Sequence, residues 1–148
     1  MKRISQYKKL FGIEKEIDLK ILKKRYRNLA KEWHPDKFQE EEQKKEAGEI
    51  SLKIIDGYHF LVSIAPETKA ANLEDYKATI TASRVDDFHH KSMLMEVTFT
   101  DGNTYEYFGV NKILFNKFVN SKSINNFGKR NIFNSFLYRK SKKAAVTV

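Results

Sequence analysis

The chain contains no cysteine, which excludes disulfides and every thiolate zinc site. Its four histidines, at positions 34, 59, 89 and 90, are scattered, so neither a metal nor a cofactor is expected. Proline is nearly absent, with Pro35 and Pro66 the two in 148 residues, and there are six glycines. So few chain breakers leave little room for a linker, and the best joint is Asp75 to Thr79. No apolar run approaches the roughly eighteen residues of a membrane span, and the opening Met-Lys-Arg-Ile-Ser has no signal-peptide core. The expectation is a cytoplasmic protein without membrane contact. Acidic residues are in deficit, 19 against 28 basic ones. Of the resulting net charge of +9, residues 1–76 hold +2 and residues 77–148 hold +7. That asymmetry points to an acidic partner such as nucleic acid, although plain solubility also explains it.

What is present is enough for a packed interior, since 41% of the residues are hydrophobic. Tyr7, Leu10 and Phe11 form a short helical cluster ended by Gly12. Asp18 is placed to cap a second helix, in which Leu19, Leu22, Tyr26, Leu29 and Trp33 fall on one face. Lys20, Lys23, Lys24, Arg27 and Lys31 fall on another, which must be solvated. Beyond residue 38, Glu40, Glu41 and Glu42 suit the amide end of a further helix. There Ile50, Ile54, Tyr58 and Leu61 lay down a second apolar seam to face the first in an antiparallel pair. Ala65-Pro66-Glu67 restarts the chain as a short fourth helix ending near Tyr76.

Between the paired helices lies Trp33-His34-Pro35-Asp36-Lys37-Phe38. Pro35 lacks an amide hydrogen and disfavours helical geometry at His34, so the tripeptide sits at a bend. A bend with an imidazole and a carboxylate at the tip of two helices presents them outward and does not enclose a small molecule. By itself the tripeptide is also compatible with a plain bend in which Asp36 caps the next helix. A hydrolase built on His34 and Asp36 fails for want of a pocket. No nucleophile motif, phosphate-cradling glycine loop or paired-carboxylate site is visible, so an enzyme is not expected.

Taken together, Tyr7-Lys-Lys-Leu-Phe-Gly-Ile13, the helix ending Tyr26-Arg-Asn-Leu-Ala-Lys-Glu-Trp33, His34-Pro35-Asp36-Lys37 and Gly57-Tyr58-His-Phe-Leu61 resemble a J-domain. This is the module of DnaJ-type co-chaperones that works with ATP-driven DnaK-type heat-shock chaperones. The resemblance implies that His34, Pro35 and Asp36 engage the chaperone and trigger ATP hydrolysis there. It further implies that Lys20, Lys23, Lys24, Arg27 and Lys31 dock on an acidic face of that partner, steering encounter while Asp36 makes the specific contact. Departures from the family pattern are Arg25 for an alanine, Ser51 for a phenylalanine and Gly57 for an alanine. At an exposed helical position the last costs about 1 kcal/mol. The family's usual helix ending is reduced to Lys69, with Asn72 in place of a tyrosine. No glycine/phenylalanine-rich linker or cysteine repeat follows.

From Thr79 the period changes to two, Ile80 and Ala82 alternating with polar residues, then Met93, Met95, Val97 and Phe99, which predicts strands. His89-His90 reads as an exposed connection. Asp101-Gly102-Asn103 is a hairpin turn leading to Thr104-Tyr105-Glu106-Tyr107-Phe108. A three-residue loop pairs Phe99 with Tyr105 and Val97 with Tyr107, burying the rings and leaving Glu106 outside. A two-residue loop pairs Thr98 with Tyr105 and Glu96 with Tyr107, exposing rings on which bases could stack. One-sided apolar pairing favours the first. A helix after Asn111 then turns Leu114, Phe115, Phe118 and Val119 inward, followed by a polar loop from Ser121 to Asn126, a short helix and a closing strand near Phe136 to Arg139.

This half resembles the KTSC domain, found alone in bacteria and at the C-terminus of some lysyl-tRNA synthetases. The residues that carry the likeness are Leu94-Met-Glu-Val-Thr-Phe99, Gly102, Tyr105-Glu106-Tyr107, Val110, Ser121, Ser123, Ile132, Phe136 and Tyr138. An RNA-binding role has been suggested for that family, and Lys122, Lys129, Arg130 and Arg139 are the candidates to meet phosphates. Phe133 stands where the family has an arginine, which weakens the RNA reading here.

The expected architecture is two domains: an all-α antiparallel helical hairpin J-domain over 1–76, then a small α+β domain with an antiparallel sheet over 77–140, and a flexible basic tail over 141–148. The expected function is a co-chaperone that stimulates a DnaK-type ATPase while the basic domain recruits a client or target. The alternative is an RNA-binding adaptor whose J-like hairpin is only structural.

Overall fold

The computed structural model describes residues 2–141, and the chain divides into two compact units, Lys2–Thr68 and a second beginning at Lys69. The sequence pattern sets its boundary later, after Tyr76. Residues 142–148, most of the expected flexible tail, lie outside the described residues.

The first unit is helical: α1 (Lys2–Leu10), α2 (Leu19–Glu32) and α3 (Glu41–Ile64). Asp18 caps α2 as its position suggests, accepting from the amides of Lys20 at 2.9 Å and Ile21 at 3.3 Å. Leu22, Ile54 and Leu61 are buried, and the Tyr26 ring stacks on Tyr58 at 4.2 Å, so the two apolar seams do meet. Arg25 accounts for its departure from alanine. Its Nη1 donates to the carbonyls of Phe11 (2.9 Å) and Gly12 (2.8 Å), satisfying acceptors that the end of α1 leaves open. Gly57 is buried, so the cost expected at an exposed position does not apply. A Cβ there would lie 2.7 Å from Tyr7 Cδ1 and 3.1 Å from Phe11 Cε2. The missing methyl is what lets the α1 rings lie against α3.

The chain continues through α4 (Pro66–Ala71) into the second unit with α5 (Leu73–Ala82), β1 (Val85–Lys91), β2 (Leu94–Phe99), β3 (Thr104–Phe108), α6 (Lys112–Val119), α7 (Ile124–Asn131) and β4 (Leu137–Lys140). The strand expected from Thr79 is therefore the end of a helix. Tyr76, Thr79 and Ile80 are buried at helical spacing, and that packing overrides the β-branched alternation around them. His89 and His90 belong to β1, not to a connection. His90 Nε2 meets the Val110 carbonyl at 2.7 Å, while His89 stays exposed beside Asp87.

The four strands form one antiparallel sheet in the order β1-β2-β3-β4. Val97 pairs with Tyr105 and Met95 with Tyr107, so both rings face the core, but the ladder is slid two residues from the expected register. The reason is the turn. Phe99 N–H donates to the Asn103 carbonyl at 2.9 Å, so the loop is Thr100 to Gly102, with Gly102 at φ +89°. Asn103 joins the ladder, and its side chain reaches Asp101 and Thr79. Glu106 is buried, not outside as expected, and is ion-paired with Arg139 on β4.

Four tyrosines, 76, 105, 107 and 138, sit together in this core. The Tyr76 hydroxyl donates to the Phe133 carbonyl at 2.6 Å and accepts from Tyr107 at 2.9 Å. Its ring stacks on Tyr138 at 3.8 Å. Burial raises the hydroxyl pKa of all four above the ordinary value near 10, most strongly for Tyr76 and Tyr107.

Candidate functional site

The corner between α2 and α3 is assembled from both helices. The Trp33 amide closes α2 on the Leu29 carbonyl, and the Trp33 carbonyl, with no helical partner left, accepts from Ser51 Oγ on α3 at 2.8 Å. The serine that stands for the family's phenylalanine thus ties the entrance of the bend to the neighbouring helix. The Trp33 ring lies over Phe38, at 6.2 Å, on the exit side. Between these two anchors His34 is extended (φ −65°, ψ 129°), as a residue before proline must be, and Pro35–Lys37 form one 3-10 turn.

His34 caps that turn itself, its Nδ1 accepting from the Asp36 amide at 3.2 Å. A neutral imidazole in this arrangement carries its proton on Nε2, leaving that atom as an outward donor. The Asp36 carboxylate lies 3.6 Å from Nδ1, with its side chain 91% exposed against 59% for His34. Neither group is enclosed. The bend holds an imidazole and a carboxylate side by side in water.

Lys20, Lys23, Lys24, Arg27 and Lys31 are all exposed along α2, and their row runs toward the His34 corner. The candidates of the second unit do not gather in the same way. Lys122 precedes the N-terminus of α7, while Lys129 and Arg130 occupy its last turn. Arg139 is nearly buried and committed to Glu106, so it offers nothing to a phosphate. The Tyr105 and Tyr107 rings are inside, where no base can stack on them. Among the described residues, no three His, Cys, Asp or Glu side chains converge as metal ligands.

Arg25, Ser51 and Gly57 are the residues that sequence reasoning flagged only as departures. Ser51 and the carbonyl it holds are eighteen positions apart, and no local spacing pairs them.

Comparison with known proteins agrees with this geometry. The family model of the DnaJ domain matches residues 6–63, and that of the KTSC domain matches residues 82–136. The chain carries a DnaJ domain followed by a KTSC domain. Among curated proteins it is similar to DnaJ homolog subfamily C member 3 of Gallus gallus, Homo sapiens and Mus musculus, at 46% identity over 41 residues. That stretch covers 28% of this chain, and the chain spans about 8% of the length of these relatives.

Proposed function

We propose that the first unit stimulates ATP hydrolysis by a DnaK-type chaperone and that the second unit delivers this activity to a client or target in the cytoplasm. The observation that carries the reading is the corner itself: an exposed imidazole and a solvent-facing carboxylate, held between two anchors at the tip of paired helices. The basic row on α2 supplies long-range attraction to an acidic partner, and Asp36 supplies the specific contact. On this reading the chain is a regulator, and the bond-breaking groups belong to the chaperone. A single-turnover ATPase assay with the cognate chaperone tests it by comparing the full chain with His34→Gln. Wild type should accelerate hydrolysis and the variant should not. Equal rates, or no acceleration by wild type, defeat the reading.

RNA binding by the second unit is the weaker alternative. It retains Lys122, Lys129 and Arg130 but loses Arg139 and both tyrosine rings. Titration of the full chain with labelled RNA at two salt concentrations decides it, since phosphate contacts weaken steeply with salt.

A further inference from the structure

The second unit contains a cleft of about 170 Å³ that neither the ATPase reading nor the RNA reading uses. One wall is the face of α4 and α5 that carries Lys69, Leu73, Tyr76 and Lys77; the other is the segment leading into β4. Its floor is aromatic, built from Tyr76, Phe133 and Tyr138, all buried, with Phe136 half-buried beside them. Its rim is cationic. Lys69 and Lys77 are both exposed, and among the described residues no carboxylate lines the cleft. Lys69 Nζ rests 4.9 Å from the centre of the Tyr138 ring, a cation–π contact that fixes one ammonium at the mouth. Asn134 completes the rim. Its Nδ2 donates to the Lys129 carbonyl at 3.1 Å, which leaves Oδ1 as an acceptor.

Size and chemistry restrict the occupant. A space of this volume is close to the roughly 150 Å³ that accommodates a benzene ring, so it takes one apolar side chain and not a nucleoside or a helix. Two lysine ammonium groups attract an anion as point charges, and a cleft of this volume leaves room for the small planar carboxylate carried by one apolar residue. An apolar side chain with a carboxylate at one end and an amide N–H to give to an acceptor is the C-terminal residue of a polypeptide.

We propose that this cleft binds the C-terminal residue of a partner protein: a leucine- or phenylalanine-sized side chain on the aromatic floor, its free carboxylate between Lys69 and Lys77, and its amide donating to Asn134 Oδ1. The departure at Lys69 from the J-domain ending then has a use, because this lysine serves the second unit. Binding here is independent of the ATPase reading, and its failure leaves that reading untouched.

The test uses the full chain and a fluorescein-labelled peptide ending Gly-Ser-Ala-Phe with a free carboxylate, beside the same peptide amidated. The free acid should bind, shifting the side-chain amide signals of Asn134 in nuclear magnetic resonance spectra. Amidation, or the double variant Lys69→Gln/Lys77→Gln, should each weaken binding by about tenfold or more. Lys117→Gln, an exposed lysine on α6, should leave it unchanged. Because both rim lysines are exposed, their replacement spares the fold, which circular dichroism checks. Equal affinity for acid and amide, indifference to the double variant, or no binding at millimolar peptide each overturns the proposal. So does displacement of the bound peptide from a site whose signals lie away from Asn134.

Discussion

The two units use their most recognisable residues in opposite ways. In the first, His34 and Asp36 stand in solvent at a turn that they themselves close. In the second, Tyr105, Glu106 and Tyr107 are 3%, 6% and 0% exposed; the two rings pack beside Tyr76 of α5, and Glu106 pairs with Arg139 on the neighbouring strand. A recurring motif therefore stands in solvent in one domain and in the core in the other. Burial, which a motif alone does not report, separates the two cases. The same contrast governs charge: Arg27 on α2 is exposed, whereas Arg139 on β4 is spent on an internal carboxylate.

The sharpest way to break this comparison is a pair of near-isosteric changes. Asp36→Asn should abolish stimulation of the chaperone ATPase with no change in the thermal midpoint. Tyr76→Phe should leave stimulation per folded molecule intact but destabilise the second unit by about 1–3 kcal/mol, because the Phe133 carbonyl and the Tyr107 hydroxyl both lose a partner. If Asp36→Asn unfolds the protein, the surface assignment is wrong.

Alkaline titration should act on one unit selectively. The hydroxyls of tyrosines 76, 105, 107 and 138 have folded pKa values raised by burial, so the neutral form is favoured in the native state. Their contribution is fully present below the unfolded value near pH 10 and is lost as pH rises through the folded values. Tyrosinate absorbance from these rings should therefore appear together with loss of the sheet signal in circular dichroism. Ionisation with the sheet intact would contradict their burial.

Gly57→Ala is the intermediate case. Helix propensity favours the alanine by about 1 kcal/mol, but its Cβ would press on the Tyr7 ring, and overpacking of this kind costs about 1–3 kcal/mol. Denaturant unfolding should show net destabilisation; a more stable variant would mean that Tyr7 yields freely. The smallest effect is expected at Tyr138→Phe. Its hydroxyl is buried without a hydrogen-bond partner among the described residues, so removing it should change stability by about 0.5 kcal/mol or less, or raise it slightly. The difference between Tyr76→Phe and Tyr138→Phe measures what satisfied and unsatisfied hydroxyls contribute within one cluster.

Features set by neighbouring residues were legible in the sequence. The Asp18 cap, the bend at Pro35 and the facing seams of α2 and α3 all follow from spacings of a few positions. Features set by distant partners were not. The Thr79–Ala82 stretch has strand-like composition, and only the burial of Tyr76 and Ile80 against the sheet makes it a helix. The buried face of the hairpin follows from its alternation, but its register does not, because Asn103 finds partners in Thr79 and Asp101 and joins the ladder. Arg139 reads as available in the sequence because its partner lies 33 residues away. Ser51 and Gly57 stand out in the sequence only as departures for the same reason.

The Tyr76 hydroxyl ties a helix made before any strand to groups 31 and 57 positions further on. On the ribosome the first unit can close once α3 has emerged, because Gly57 and Phe60 must reach back to Tyr7. The sheet unit must wait for Phe133 and Tyr138 before its interior can lock, so its half-made strands stand uncovered until the chain is nearly complete.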